Sequence, residues 1–496
     1  MAKHRFFKLH RLALVLGTAL ALGACAVGPD YHRPAPPATQ SYMQEGAPSA
    51  MASTPGASGP AQHFNTDMDI PGQWWTLFQS PSLNGLIDDA LKQNPDAAAA
   101  QQALRQAVET VRAQRGQYFP QISASIDPTR QKTGQVLASG ISSNDTIYNL
   151  TTVQLSISYM PDLWGANRRQ VESLVAQADA QRFQLEATYL TLTSNLVNAA
   201  VQEASLRAQI AATQDMIDSQ SKILDATQKQ SGVGDVSDAG VAAQEAILEQ
   251  TRASLPALRK QLAQQRDLLA VLAGRTPDQD IGAHFTLDSL QLPQDLPLTL
   301  PARLVEQRPD VRMADAQLHA ACAQVGVAFA ARLPNINITA NWGSATDQMH
   351  TLFGAGTGFW NIGAAVTAPL FDGGTLKHKQ RAAEAAYKQA AEQYRSTVLA
   401  ALQNVADTLH ALQADADAMA ASARAERAAA RSFDIARKQY AVGDISMVAL
   451  LNAQVTSRQA QLNLIQARAA RYADTVALFQ ALGGGWWNRH DVAVAP

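Results

Sequence analysis

Two stretches without a single glycine or proline govern what this chain can become: residues 166–231 and 375–442, which are 66 and 68 residues long. Both are rich in Ala, Gln, Leu, Glu and Arg, residues that lose little on entering a helix. A usual helix has about 11 residues, whereas at about 1.5 Å per residue each of these predicts a rod of roughly 100 Å. Val398, Leu402, Val405, Leu409 and Leu412 step by fours and threes, the spacing of a coiled-coil seam. Each rod ends near the same tripeptide, Val233-Gly234-Asp235 and Val442-Gly443-Asp444. Glycine stops a helix and aspartate suits the N-cap of the next one. Antiparallel hairpins about 100 Å long are therefore expected, closed at these two turns.

The turns belong to a wider duplication. Phe119-Pro120-Gln121-Ile122 recurs as Leu333-Pro334-Asn335-Ile336 at an offset of 214, and Asn94-Pro95-Asp96 as Arg308-Pro309-Asp310 at the same offset. Pro161 and Gly165 recur as Pro369 and Gly373 at 208, and the Val-Gly-Asp turns at 209. Conserved order with small shifts means two copies of one unit. Before each long helix, residues 121–127, 151–159, 335–342 and 361–368 alternate apolar and small polar residues, as in Val153, Leu155, Ile157 and Tyr159. That period reads as strand, with Ser- and Gly-rich loops over 128–150 and 343–360. Strands of about 9 to 11 residues suit a membrane barrel. Four cannot close one, and open edges in a bilayer leave unpaired backbone groups, so closure requires further copies; three copies give twelve strands. Pro120 and Pro334 at the strand starts, with Pro161 and Pro369 after the returning strands, are read as barrel-to-tunnel junctions, since proline fixes φ and lacks a donor.

At the other end of the argument stands the N-terminus. Lys3, Arg5, Lys8 and Arg11 precede an apolar run ending in Leu22-Gly23-Ala24-Cys25, the layout of a secretory signal. Residues 28–71 hold eight prolines and read as an extended arm without a core, long enough to let the body stand away from an anchor. Without residues 1–24 the chain has 36 bases against 42 acids, a poor match to nucleic acid. Two cysteines exclude a disulfide framework or thiolate zinc cluster; Cys322 is expected to fill a small packing site. No phosphate-binding loop, His-Glu-x-x-His or Gly-x-Ser-x-Gly motif occurs, and the Gly354-Ala355-Gly356-Thr357-Gly358 run between strands reads as a hairpin tip. Neither a catalytic residue, a metal site nor a cofactor is expected. Trp74, Trp75, Trp486 and Trp487 could sit at a membrane interface, but because both pairs flank the helical segments, packing at the midsection of the tunnel is expected.

Several motifs in order, namely Trp74-Trp75-Thr76-Leu77-Phe78 with Leu83 and Leu86-Ile87-Asp88, Gln307-Arg308-Pro309-Asp310, Pro161-Asp162-Leu163-Trp164-Gly165, Pro369-Leu370-Phe371-Asp372-Gly373-Gly374 and Leu482-Gly483-Gly484-Gly485-Trp486, resemble TolC-like, NodT-type outer-membrane efflux lipoproteins. The resemblance covers nearly the whole mature chain. It implies a homotrimer, mainly α with a membrane β-barrel, in which a twelve-stranded barrel continues into an α-helical tunnel. It also implies a passive exit duct for small toxic molecules, working with a periplasmic adaptor (a membrane fusion protein) and an inner-membrane transporter. Cys25 would carry the lipid, and Ala26 behind it favours the outer membrane. The tip residues Gly234, Asp235, Gly443 and Asp444, with Tyr440 and Arg437, would form the constricted, adaptor-binding entrance. Whether the aspartates cap helices or form a negative ring is open, and Ala449 and Asn452 stand where some relatives carry acids.

The expected organisation is a signal peptide over 1–24, a lipid anchor and Pro-rich arm over 25–72, a first repeat over 73–275 (strands 120–127 and 151–160, helices 164–231 and 236–274), a linker over 276–300, a second repeat over 301–487 (strands 334–342 and 360–368, helices 374–441 and 445–482) and a tail over 488–496. Export of proteins or metal ions, and a lipid-anchored coiled-coil tether without a pore, are the competing readings; a tether needs the helices but not four amphipathic strands.

Overall fold

The computed structural model describes residues 26–44, 46, 51–54, 59, 61–66, 68–132, 147–234 and 236–489, so Cys25, Asp235 and the signal segment lie outside the described residues. In chain order these form β1 (His63–Asn65), α1 (Pro81–Gln93), α2 (Pro95–Arg115), β2 (Gln121–Lys132), β3 (Ile147–Tyr159), α3 (Ala166–Gly232), α4 (Asp238–Leu272), β4 (Asp295–Pro297), α5 (Pro301–Gln307), α6 (Pro309–Ala330), β5 (Asn335–Thr346), β6 (Gly358–Thr367), α7 (Thr375–Ala441) and α8 (Met447–Ala481). Four helices open on proline, at Pro81, Pro95, Pro301 and Pro309. Its missing N–H costs nothing in a first turn and its φ is already helical.

Helices α3 and α7 have 67 residues each, while their return helices α4 and α8 have 35 each. At about 1.5 Å per residue the long arms reach roughly 100 Å and the return arms about 50 Å, so only one arm of each hairpin has the full length. Glycine is the cause in both copies: α4 stops at Gly274, whose φ is +76°, and α8 runs into residues 483–485, all with positive φ. The strands also differ from expectation. β2 continues to Lys132, β5 to Thr346, and β6 begins at Gly358, inside stretches read as loops. The ladder pairing Lys132 with Ile147 is made by backbone groups, so it outlasts the side-chain alternation that marks a strand in sequence.

The chain forms two compact units: Met1–Arg33, Arg105–Ala180 and Asp315–Gln393 in one, and Pro34–Leu104, Gln181–Ala314 and Tyr394–Pro496 in the other. Each gathers segments from both repeats, because α3 and α7 contribute residues to both units. The first unit holds a four-stranded antiparallel sheet in the order β2-β3-β5-β6. Tyr159 pairs with Ile338 and Thr151 with Thr346 at its centre. The second unit holds the larger core. There Trp74 and Trp75 are 1% and 2% exposed; Trp74 stacks on Phe479 at 5.2 Å and meets Phe78 edge-on. Trp486 meets Phe183 edge-on and the indole N–H of Trp487 reaches Asp69, so both tryptophan pairs pack as expected. Ile217 on α3 packs with Leu248 and Leu255 on α4, which holds the first hairpin together.

The Pro-rich arm departs most from its sequence reading. It is not a free spacer: Gln62 and Ile70 are fully buried, β1 pairs in parallel with β4, and the Tyr42 hydroxyl donates to the Thr299 carbonyl at 2.8 Å. Burial pushes the Tyr42 phenol up to about 12. Prolines obscured the signal, since the anchoring residues are isolated by extended backbone rather than set in a period.

Candidate functional site

The chemistry of the sheet comes from its two faces. Strand pairing brings Ile122 opposite Ile157, Leu155 opposite Trp342, Trp342 opposite Trp360, Ala340 opposite Ile362 and Ile336 opposite Val366. Paired residues point to the same side, so these apolar residues share one face. Trp342, Trp360, Ile362 and Val366 are 66 to 73% exposed on it. The other face carries Ser123, Ser125, Gln154, Ser156, Asn337, Thr339 and Asn341. A sheet covered by helices would bury its apolar face; here that face is open and its reverse is polar. Neither β2 nor β6 has a second strand neighbour among the described residues, which leaves two rows of backbone groups ready to pair.

Each junction proline sits where the chain leaves or enters this sheet. Pro120 and Pro334 directly precede β2 and β5, and Pro161 and Pro369 lie two residues beyond β3 and β6. The structure brings two of the four prolines around one cavity of about 460 Å³, lined by Pro161, Trp164, Leu333, Pro334 and Ile336 among others. The Trp164 indole N–H donates to the Pro334 carbonyl at 2.6 Å. Two aspartates missed by sequence reasoning start the long helices. Asp162 accepts from the backbone N–H groups of Asn167 and Arg168 at 3.0 and 2.8 Å, and Asp372 from those of Gly374 and Leu376 at 2.8 and 2.7 Å. These backbone donors hold the Asp372 carboxyl below the usual range. The motifs Pro-Asp-Leu-Trp and Phe-Asp-Gly-Gly contained the signal, because aspartate before a long glycine-free run is a helix-start pattern.

The chain immediately after residue 25 is fixed along α6 and the first turns of α3. Val27 N–H donates to the Trp164 carbonyl at 3.1 Å. Arg169, whose side chain is 6% exposed, pairs with Asp30 at 2.7 Å and Glu172 at 2.8 Å and donates to the Val27 carbonyl. Tyr31 stacks on His319 at 4.4 Å, and Arg33 pairs with Asp315 at 3.1 Å. Cys322, 1% exposed, faces the Pro29 carbonyl, and burial pushes its thiol up, as its packing role predicts. At Gly165 (φ +76°) a β-carbon would lie 2.7 Å from that of Ala26, so only glycine lets the arm approach so closely.

The two tip turns lie in the second unit. Gly234 and Gly443 have φ of +86° and +78°, which closes the turns after α3 and α7. Across them the Tyr440 hydroxyl donates to Gln230 at 3.4 Å, so Tyr440 does link the tips. Arg437 makes its hydrogen bond within the tip, to Asp434 on its own helix at 3.0 Å, and Lys438 pairs with the same carboxylate at 2.7 Å. The cap assignment for Asp444 is corrected. The N-cap of α8 is Ser446, whose hydroxyl accepts from the Ala449 N–H at 3.3 Å. Asp444 lies two residues too early and instead accepts from the Gln439 side chain at 3.2 Å. Ser237 occupies the equivalent position before α4. Beside the turns, Val233 and Val442 are 75% and 80% exposed.

Among the described residues no group of His, Cys, Asp and Glu has the arrangement of a metal site, and no helix is long and apolar enough to cross a membrane. An open apolar sheet face with polar reverse therefore meets the decisive comparison: the family model described as outer membrane efflux protein matches residues 86–275 and 300–484. The chain belongs to the outer membrane efflux protein family. This is a family of transport channels rather than enzymes. This outer membrane efflux protein is 29% identical to the pyoverdine export outer membrane protein OpmQ of Pseudomonas aeruginosa over 418 residues, covering 84% of this chain and 87% of OpmQ. It is 28% identical over 475 residues to the toluene efflux pump outer membrane protein TtgC of Pseudomonas putida, covering 95% of each. The structure of the outer-membrane channel OprN superposes with a TM-score of 0.82 at 25% identity, over 93% of this chain and all of OprN. The chain is an efflux channel of the outer membrane.

Proposed function

We propose that this outer membrane efflux protein acts as a homotrimer, the exit duct of a three-component pump through which small toxic molecules pass passively. The sheet carries the reading: its exposed apolar face fits lipid, its polar face fits a water-filled lumen, and its unpaired edges β2 and β6 fit closure with neighbouring copies. Three chains supply twelve strands. Lipid on Cys25 holds the protein at the outer membrane, and the fixed strap over residues 26–33 supports an anchor held close to the sheet. Pro120, Pro161, Pro334 and Pro369 mark the turn from barrel to helical tunnel. The tips, with Gly234, Asp235, Gly443, Asp444 and Tyr440 and the exposed Val233 and Val442, meet a periplasmic adaptor that joins the duct to an inner-membrane transporter. No reaction occurs at this subunit. The names of OpmQ and TtgC support an organic cargo, and the amphipathic strands argue against a tether without a pore.

Planar-bilayer recording on purified full-length protein tests the reading. The account expects conductance with a preference for cations, reduced by Asp235→Asn combined with Asp444→Asn, because two threefold sets of carboxylates focus a negative potential at the entrance. Unchanged selectivity would sink the charged ring, and absence of any conductance from intact oligomers would sink the duct.

A further inference from the structure

The face of α3 that the strap covers recurs on α7 with its charges uncompensated. Both helices have 67 residues and start 209 positions apart, so Arg168, Arg169 and Glu172 correspond to Lys377, His378 and Arg381. Cations in a first turn oppose the helix dipole. On α3 acids offset them: Arg168 pairs with Asp162 at 3.7 Å, and Arg169 with Asp30 of the strap at 2.7 Å and Glu172 at 2.8 Å. On α7, Lys377, Lys379 and Arg381 are exposed and have no ion-pair partner among the described residues. The two nearest acids in sequence are engaged elsewhere. Asp372 accepts from the Gly374 and Leu376 N–H groups, and Glu384 from the Gln380 side chain at 2.8 Å. Arg332 adds a further cation, donating to Gln380 at 2.6 Å.

Just before these bases the chain exposes its largest apolar side chains. Leu370 and Phe371 are 96% and 92% exposed, a few residues beyond Val366 and Ile362 on the open apolar face of β6. From β6 into α7 the order is therefore apolar strand face, exposed Leu-Phe, then Lys and Arg, the order of groups met on leaving a bilayer core for its head groups. Lys377 and Arg381 lie one turn apart, so their charges add on one side of the helix. That side corresponds to the one on which α3 holds the strap leading to Cys25, the proposed lipid site. A neighbouring copy is a poor cover for these bases. The α2 helix that would arrive with its β2 edge ends in Arg112 and Arg115, and its Glu109 already pairs with Arg112 at 2.8 Å, so the copy brings more positive charge.

We propose that Leu370 and Phe371 enter the acyl layer of the periplasmic leaflet, and that Lys377, Lys379 and Arg381 hold the phosphate groups of anionic phospholipids there. The second repeat thus binds the membrane through free lipid at the place where the first repeat binds the strap. Attraction of this kind grows with each added base and is screened by salt.

Native mass spectrometry of the full-length, detergent-purified protein tests this with added phosphatidylglycerol or phosphatidylcholine of the same acyl chains. The wild type should retain phosphatidylglycerol in preference. Lys377→Gln combined with Lys379→Gln and Arg381→Gln should weaken that retention by about tenfold or more. Equal retention of the two lipids by the wild type, or unchanged retention of phosphatidylglycerol by the triple variant, would overturn the proposal. A readout independent of variant folding is photo-crosslinking of the wild type with phosphatidylglycerol that carries a photoreactive head group. Labelled peptides spanning residues 370–381 are expected, and labelling confined to other segments would refute the belt. The belt rests on the duct reading, and the same spectra separate the two: complexes of three chains without lipid preference overturn the belt alone, whereas monomers overturn both.

Discussion

Trp74 is the residue on which the second unit's core turns. It is 1% exposed, stacks on Phe479 of α8 and meets Trp75 and Phe78 edge-on, so it joins the segment before α1 to the end of the last long helix. Truncating so large a buried ring leaves a cavity that packed neighbours cannot fill. Trp74→Ala should destabilise the protein by about 3–5 kcal/mol, measured by chemical or thermal unfolding; a loss under about 1 kcal/mol would show that the stack is not a keystone. Single residues were legible in the sequence where their chemistry is local. The four prolines fall where strand meets helix because a fixed φ acts on its own neighbours. Asp444 misled because capping depends on an offset of two residues, and serine and aspartate serve equally well by composition. Arg169 was not legible at all: its role depends on Asp30 and the Val27 carbonyl, 139 and 142 residues away in sequence.

At the scale of elements, absence of glycine and proline was enough to delimit α3 and α7, since only a breaker ends a helix so long. Strand ends were less legible, because backbone pairing continues into 128–132 and 343–346 without an apolar alternation. Pairing also reveals a register difference between the copies. Gln121 pairs with Ser158, but its counterpart Asn335 pairs with Thr367, whose counterpart is Tyr159. A slip of one residue exchanges faces, and it puts the even-numbered residues of both β2 and β6 on the apolar side. The joint between copies must then pair even with even. The internal joint, with Tyr159 opposite Ile338, maps onto Thr367 and Ala124, and the face rule moves this to Val366 and Ala124. Ala124→Cys with Val366→Cys should therefore yield covalent oligomers on oxidation, because the β-carbons would approach about 4 Å. Ser123→Cys with Val366→Cys should not, as those side chains lie on opposite faces. Efficient crosslinking of the second pair and none of the first would contradict the joint.

For the whole molecule, the duplication and the family resemblance together made the fold class readable, because a repeated strand–helix unit with unclosed edges has few ways to satisfy its backbone in a membrane. The arm was misread at this scale: its prolines suggest reach, yet its buried Gln62 and Ile70 and the strap over residues 26–33 bind it to the body. The central claim is that three copies close one barrel and one helical duct, and single-particle imaging of the detergent-extracted, acylated protein tests it most directly. The account predicts a hollow threefold particle longer than about 100 Å, the length set by the rise of a 67-residue helix. Monomers, or solid rods without a barrel, would contradict it.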